Sequence, residues 1–268
     1  APDGSGTIQV VSKGGLSSSP NDDDPVAQFE DAFQQRSAAL RTGLMHAAMI
    51  ERLFWENSGN QLTEDDSQVL LRLEAYARAA GVSNPGDLAA LFASNDRAWS
   101  AAFISYLMQQ AGVKADEFNF NVGHDEYIKA AWVNRENADR LAPFWLVGLD
   151  EVAPEPGDLL CMNRPLGQSG QCGNVHFDPL APGGNLPGDF GSHCDMVTGI
   201  SVNSAGDPVL VTVGGNLSHS VRKRLVPVND EFKVLANAAA DIEPANVRSD
   251  CTYFAILRLR NSAFETYL

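Results

Sequence analysis

A change in hydrophobic period near Pro154 constrains the fold of this chain more than any other feature. Before that point, apolar residues recur at three- and four-residue steps, which is typical of amphipathic helices. Helices are predicted at 26–55, 67–80, 94–111 and 124–134. After it come short β-rich segments bounded by Gly, Pro or Asn. Strands are predicted at 158–162, 194–202, 209–213, 221–226 and 253–259. Helices first and an antiparallel sheet afterwards indicate an α+β fold.

The charge balance narrows the class of partner. Of 268 residues, 19 are Lys or Arg and 34 are Asp or Glu, which gives a formal net charge of −15. Such a field repels phosphate backbones, so the composition argues against sequence-independent binding of nucleic acid. No apolar run approaches the roughly 20 residues that a membrane-spanning helix needs, so no membrane span is predicted.

The four cysteines favour an oxidising compartment. Their number is even and CxxC spacing is absent, which predicts one or two disulfides rather than a zinc ribbon. Cys161 and Cys172 flank the first third of a Gly- and Pro-rich segment, 163–192, and are expected to pair. Cys194 and Cys251 then form the second pair. Four buried thiols in a cytosolic protein are the alternative.

Three short motifs combine residue types that suit nucleophilic catalysis. Ser100 lies in the first turn of an apolar helix, where unpaired N–H groups and the helix dipole favour negative charge. His193 begins a predicted strand, and Asn216 follows two glycines at the end of the next one. A helix-start nucleophile, a strand-borne His and a polar residue on the neighbouring strand is the order of papain-like hydrolases. The His takes the proton of the nucleophile, and the third residue orients the imidazole.

The same motifs carry a resemblance to a known family. The segments are Trp-Ser-Ala-Ala-Phe-Ile-Ser at 99–105, Pro-Gly-Asp-Leu at 156–159, His-Cys-Asp at 193–195 and Gly-Gly-Asn at 214–216. They resemble the bacterial domain of unknown function numbered 2272 and, more remotely, the CHAP and NlpC-type papain-like peptidases and amidases. The similarity covers roughly residues 51–224. It implies a papain-like fold and cleavage of peptide or amide bonds in the bacterial cell wall.

Composition and hydrophobic periodicity, together with the resemblance, predict a division of the chain into three parts. Residues 1–25, rich in Gly, Ser and Asp, are expected to form a flexible N-terminal tail. Residues 26–95 are expected to form a helical N-terminal region. Residues 96–268 then form the papain-like α+β domain of hydrolase type.

The nucleophile position departs from the peptidase pattern, because Ser100 stands where those enzymes have Cys. Either Ser100 is a true nucleophile, or the cysteine-peptidase chemistry has been lost. Cys194 is a poor replacement, since neighbouring residues on a strand point to opposite faces and His193 could not easily activate it. Asp195 shares a face with His193 and is the second candidate, after Asn216, for the orienting residue.

Each candidate also has a structural interpretation. Ser100 could make a local helix-cap bond, His193 could be a hydrogen-bonded structural residue, and Asn216 could be a left-handed turn residue. His124 could cap a helix or contribute to the site, as a recurring His of the resembled family suggests. Trp99 and Ala101 flank Ser100 and, with His124, are candidate substrate contacts, although Trp99 and Phe103 are also expected as core anchors.

The histidines and a short basic segment suggest two further kinds of site. A His/Asp metal site could in principle be assembled from His124, His176, His193 and Asp195, but the spacing is irregular, so no metal and no cofactor are expected. Residues 222–224, Arg-Lys-Arg, are interpreted as a solvated basic face of a strand that could meet an anionic glycan or partner.

Two function classes remain open. The first is a peptidoglycan peptidase or amidase with Ser100 as nucleophile, His193 as base and Asn216 or Asp195 as orienter. It is expected in the periplasm or secreted, and an inhibitor or immunity protein is an expected partner if the enzyme is a toxin. The second is a non-catalytic module on a papain-like scaffold that binds cell wall or protein.

Overall fold

The computed structural model describes residues 24–84, 99–164, 190–243, 247–249 and 252–266. The helices are α1 (Pro25–Glu56), α2 (Leu70–Ala79), α3 (Ser100–Gln110) and α4 (His124–Glu136). The strands are β1 (Phe144–Val147), β2 (Leu159–Asn163), β3 (Ser192–Val202), β4 (Pro208–Gly214), β5 (Arg222–Pro227), β6 (Ala240–Glu243), β7 (Val247–Ser249) and β8 (Tyr253–Leu259). The predicted α+β class, with helices preceding most of the sheet, is confirmed.

The differences from prediction lie in short elements and in one helix start. The sequence pattern predicted five strands, whereas β1, β6 and β7, of three or four residues each, were not predicted. Helix α3 begins at Ser100, with Trp99 as its N-cap residue, and not at 94–96. Most of the predicted tail, a short helix expected after Pro85, the expected caps at 94–96 and most of the Gly/Pro-rich segment lie outside the described residues.

All described strands form one antiparallel sheet in the order β1-β8-β2-β3-β4-β5-β6-β7. The hairpin between β3 and β4 turns at 203–207, as the sequence predicts; the backbone N–H of Asn203 donates to the carbonyl of Asp207 over 2.9 Å. Because β3 starts where β4 ends, the His193 and Gly214 motifs meet at one edge of the sheet. This edge also receives the N-terminal ends of α3 and α4.

Helix α1 forms because its apolar residues repeat along one face and its first turn is capped. The Asp24 carboxylate accepts a hydrogen bond from the N–H of Val26 over 2.9 Å, and Pro25 occupies the first turn. Buried residues follow at three- and four-residue spacing: Phe33, Ser37, Leu40, Leu44, Ala47, Ala48, Glu51 and Trp55. Arg41 fastens the helix to the sheet, since its guanidinium donates to the carbonyl of Leu259 over 2.8 Å.

Aromatic side chains join α1, α2 and α3 in one core. The rings of Trp55 and Trp99 are stacked with centroids 5.2 Å apart, and the Trp55 indole donates to the Tyr76 hydroxyl over 2.9 Å. Tyr76 also meets Phe103 edge to face. This core continues into β8 through Leu257 and neighbouring residues. One hydrophobic core therefore joins α1 and α2 to α3 and the sheet.

The predicted cysteine pairing is wrong. Cys161 on β2 and Cys194 on β3 are directly opposite in the antiparallel register, with Cα atoms 4.1 Å apart, and they form a disulfide. The pairs Cys161–Cys172 and Cys194–Cys251 were inferred from spacing along the chain, whereas strand register decides which sulfur atoms meet. Cys172 and Cys251 lie outside the described residues. A disulfide of this kind persists in oxidising compartments, and Cys194 cannot serve as a nucleophile while it is oxidised.

Replacing both Cys161 and Cys194 by alanine should destabilise the protein substantially. The bond closes a loop of 33 residues in sequence separation, for which the chain-entropy model predicts about 3–4 kcal/mol. Urea unfolding of the double variant and the wild type measures the difference. Non-reducing peptide mapping provides the control, since it should recover one cross-linked pair containing positions 161 and 194. A double variant as stable as wild type would contradict the pairing.

No helix in the described part of the chain combines the length and the apolar character required to cross a bilayer.

Candidate active site

Ser100 is the first residue of α3, and its hydroxyl bonds away from its own helix. The side chain is 1% exposed, and Oγ lies 2.7 Å from Nε2 of His124, the first residue of α4. Neither helix has a side-chain cap bond at its N-terminus. Ser100 and His124 therefore use their side chains to join the two helix starts, and not as the local caps that the structural interpretation suggests.

The hydrogen bonds of His124 determine which ring nitrogen carries the proton. The backbone N–H of Cys194 donates to Nδ1 over 3.2 Å, and the Tyr127 hydroxyl contacts the same nitrogen. A backbone amide can only donate, so Nδ1 is the unprotonated nitrogen. Nε2 then carries the proton and donates it in the hydrogen bond to Ser100 Oγ. In this tautomer His124 cannot accept the proton of Ser100.

His193 and Asp195 form a second buried pair. Nε2 of His193 lies 2.7 Å from Oδ1 of Asp195, which confirms the prediction that the two side chains share a face of the strand. The other carboxylate oxygen lies 3.1 Å from Nε of Arg224 and 3.5 Å from Oγ1 of Thr212. Because an ionised carboxylate only accepts, Nε2 of His193 is protonated and Nδ1 keeps its lone pair.

The two pairs lie side by side. The rings of His124 and His193 have centroids 5.1 Å apart, and Cys194, the neighbour of His193, bonds to His124. Within the described residues, Ser100 and His193 share no hydrogen bond. The structure thus brings the predicted nucleophile and the predicted base into one cluster, but the direct partner of Ser100 is His124.

Burial sets the charge of both imidazoles. Removal from water lowers the pKa of His124 well below its usual value, and the neighbouring His193 and Arg164 act in the same direction. Burial also lowers the pKa of His193, although Asp195 opposes this shift. For Asp195, burial alone would raise the pKa, but the Arg224 guanidinium and His193 hold it below its usual value. At neutral pH the cluster therefore contains two neutral imidazoles and one carboxylate.

Two glycines allow the end of β4 to approach the cluster. A Cβ atom on Gly214 would lie 1.8 Å from Oδ1 of Asp195, and one on Gly215 would lie 2.6 Å from Cβ of Phe103. Any side chain there would displace the carboxylate or helix α3. Asn216 follows in a turn with φ of 58°, a left-handed conformation that Asn tolerates. Among the described residues, the His193 imidazole donates to Asp195, the second candidate for orienter, rather than to Asn216.

The remaining predicted contacts of Ser100 lie in the core. Trp99 is fully buried against Trp55, and its indole donates to the Glu64 carboxylate over 2.6 Å. Ala101 is also fully buried. These placements fit the expected core anchor at Trp99. His124 is the one candidate substrate contact whose side chain reaches Ser100.

The interpretation of residues 222–224 as a solvated basic face is wrong. Arg222 and Arg224 are buried, and alternation along β5 turns both toward the protein. Arg224 pairs with Asp195, whereas Lys223, on the other face, pairs with Glu243 over 2.6 Å. An arginine every second residue on a strand was the available signal for an inward-facing ion pair.

Sequence reasoning did not find Tyr127 or Arg224 as parts of the cluster. Tyr127 lies three residues after His124 on α4, and this i,i+3 spacing brings the two side chains together.

His176, proposed for a metal site, lies outside the described residues. Among the residues that are described, no three His, Cys, Asp or Glu side chains are grouped as metal ligands.

Stability should fall as the pH is lowered from about 7 toward 5. The unfolded chain binds a proton on each histidine near pH 6.5, while the folded chain resists it because the pKa values of His124 and His193 are lowered. Each buried histidine therefore reduces the free energy of unfolding by up to about 1.4 kcal/mol per pH unit below that point. Urea unfolding at several pH values measures the slope.

The pH dependence of the free energy of unfolding is compared in two variants, His124→Gln and its control His46→Gln. His46→Gln is the control, because His46 is exposed on α1 and lies outside the buried cluster. His124→Gln removes one titrating group from the buried cluster and should flatten the curve. An identical slope in His124→Gln and wild type would contradict the argument.

The fold and the cluster together define an α+β protein with a buried serine, two imidazoles and a carboxylate at one edge of an antiparallel sheet. A family model described as an uncharacterized protein conserved in bacteria, DUF2272, matches residues 57–259. The chain belongs to this family, as the resemblance of its motifs implied. No curated protein and no solved structure matches the chain.

Proposed function

We propose that this protein is a serine hydrolase of peptide or amide bonds, with Ser100 as nucleophile and a papain-like arrangement of helix and strands. One observation carries the proposal: Ser100 Oγ, at the N-terminus of α3, lies in a buried cluster beside the His193–Asp195 pair. A buried hydroxyl next to a neutral imidazole that a carboxylate orients is the chemistry of acyl transfer.

In the proposed reaction, Nδ1 of His193 takes the hydroxyl proton of Ser100 as Oγ forms a bond to the substrate carbonyl carbon. The carbonyl electron pair moves to oxygen, where the first N–H groups of α3, at Ser100 and Ala101, stabilise it, since these groups have no intrahelical acceptor. The C–N bond then breaks, and His193 returns the proton to the leaving nitrogen. Water, activated by the same imidazole, hydrolyses the acyl-enzyme.

The proposed substrate is peptidoglycan, at a stem peptide or an amide link. This choice rests on the bacterial family and on the resemblance of the motifs to cell-wall peptidases and amidases. The Cys161–Cys194 disulfide supports a periplasmic or secreted location, where the wall is accessible. Wall remodelling and a secreted antibacterial effector with an immunity protein as partner are both compatible with this activity.

The test is digestion of purified peptidoglycan sacculi, with mass spectrometry of the released fragments. Wild type should release fragments, and Ser100→Ala and His193→Ala should not. Ser105→Ala is the matched control, because Ser105 is a buried serine of the same helix whose Oγ bonds the backbone of Asn121. Fragment masses identify the bond. Fragments released equally by all four proteins would refute the role of Ser100.

A binding module on the same scaffold is the second candidate. It is favoured by the hydrogen bond that Ser100 accepts from His124, since Ser100 has no direct bond to His193 within the described residues. This function predicts that sacculi retain wild type and Ser100→Ala equally in a sedimentation assay, with no fragment released by either.

A further inference from the structure

Helix α4 supplies a second imidazole to Ser100, and the serine hydrolase reaction needs only one base. His124 is 6% exposed and uses both ring nitrogens: Nε2 is 2.7 Å from Ser100 Oγ, and Nδ1 accepts from the Cys194 N–H over 3.2 Å. The Tyr127 hydroxyl contacts Nδ1 as well. Every partner of Nδ1 is a donor, so the proton of the ring is held on the nitrogen that faces Oγ.

We infer that His124 is a further catalytic residue of the proposed hydrolase: a fixed hydrogen-bond donor that stabilises the negative charge on Ser100 Oγ while His193 removes the proton. The inference rests on the proposed function. The separate observation that supports it is the direction of the Ser100–His124 hydrogen bond, which the Cys194 N–H on β3 determines by donating to Nδ1. A serine hydroxyl is a weak acid, and a preorganised donor aimed at its oxygen lowers the cost of forming the alkoxide.

His124 keeps its proton throughout this step. The hydroxyl proton of Ser100 passes to Nδ1 of His193, the Oγ electron pair forms the bond to the carbonyl carbon, and the Nε2–H of His124 only donates a hydrogen bond. No bond to His124 forms or breaks. The two imidazoles thus have opposite tasks. Asp195 keeps the proton of His193 on Nε2, so Nδ1 of that ring can accept a proton. The Cys194 N–H donates to Nδ1 of His124, which keeps the proton of that ring on Nε2.

Two neighbouring residues, Cys194 and Tyr127, act as positioning residues that hold the proton of His124 on Nε2. Cys194 cannot withdraw its N–H, since β3 is paired with β2 on one side and the Cys161–Cys194 disulfide joins the two strands at this residue. Tyr127 lies on α4 itself, and burial raises the pKa of its hydroxyl well above the usual value, so it remains a donor. Tyr127→Phe removes one of the two donors to Nδ1 and leaves the other.

The experiment measures the rate at which a fluorophosphonate probe labels Ser100 in the full-length protein, with the site identified by mass spectrometry. This reagent reports on the nucleophile and does not require the natural substrate. His124→Ala should slow labelling by about 10²–10³-fold, the usual effect of removing one preorganised donor. His124→Gln retains an N–H donor of similar reach and should label much faster than His124→Ala. Thermal unfolding verifies that each variant is folded.

A second measurement is independent of reactivity. Nitrogen NMR of the wild type at neutral pH should show His124 protonated on Nε2 and not on Nδ1, and Tyr127→Phe should retain this tautomer because the Cys194 N–H still donates to Nδ1. Labelling of folded His124→Ala at the wild-type rate, or an Nδ1-protonated ring in the wild type, would overturn the role of His124 while leaving Ser100 as nucleophile. Absence of labelling at Ser100 in the wild type would instead overturn the proposed hydrolase and, with it, this role.

Discussion

Replacing Ser100 by alanine is expected to reduce kcat/KM for the proposed hydrolysis by about 10⁴-fold or more, because Ser100 is the side chain assigned to form the acyl bond. The fold should survive, since the substitution removes one hydrogen bond, worth about 1 kcal/mol of unfolding free energy. Steady-state kinetics on the peptide or amide bond identified from sacculi, together with urea unfolding, measures both effects.

A double variant provides the control, because the effects of two residues that act together are not additive. If Ser100 and His193 act as one unit, the double variant Ser100→Ala/His193→Ala should be about as inactive as Ser100→Ala alone. Ser105→Ala, on the same helix, should retain activity near that of wild type. Additive losses in the double variant would show that His193 does not act through Ser100.

Replacing Asp195 by asparagine is expected to lower kcat/KM by about 10⁴-fold with little change in shape. The amide oxygen of Asn should face the Arg224 guanidinium, which lies 3.1 Å from the native carboxylate, so the amide NH₂ faces His193. A donor at that position requires Nε2 of His193 to accept, which moves the ring proton to Nδ1. The base that the reaction needs is then absent at neutral pH.

Asn216→Gly is the matched control for the orienting residue. Glycine adopts the left-handed φ of position 216 without strain, so the turn after β4 is retained while the Asn side chain is removed. We expect activity close to wild type. The reverse outcome, an inactive Asn216→Gly and an active Asp195→Asn, would assign the orienting role to Asn216.

The long elements could be predicted from sequence because their periodicity is strong. The eight buried residues of α1 repeat at helical spacing from Phe33 to Trp55, and the strand Tyr253–Leu259 was predicted to the residue. The strand Phe144–Val147 could not be predicted, since four apolar residues have no measurable period and are buried on both faces. Its identity depends on pairing with β8, a partner more than one hundred residues away.

The candidate site was predicted in part, and the missing part depends on contacts between distant segments. Ser100, His193 and Asp195 are recognisable from the sequence because each lies in a short motif, at a helix start or in a strand. The bond between Ser100 and His124 joins the starts of two helices, and the Cys161–Cys194 bond depends on strand register. Arg224 is similar: only the packing of β5 beside β4 and β3 shows that it faces Asp195.

The matched family region begins at residue 57, yet α1, which precedes it, packs into the same hydrophobic core. Trp55, near the C-terminal end of that helix, covers one face of Trp99, the residue that precedes the proposed nucleophile. A fragment cut at residue 57 would lose this ring and expose the apolar base on which α3 begins. Helix α1, 32 residues long, therefore supports the start of α3, and a truncation that removes it should destabilise the candidate site.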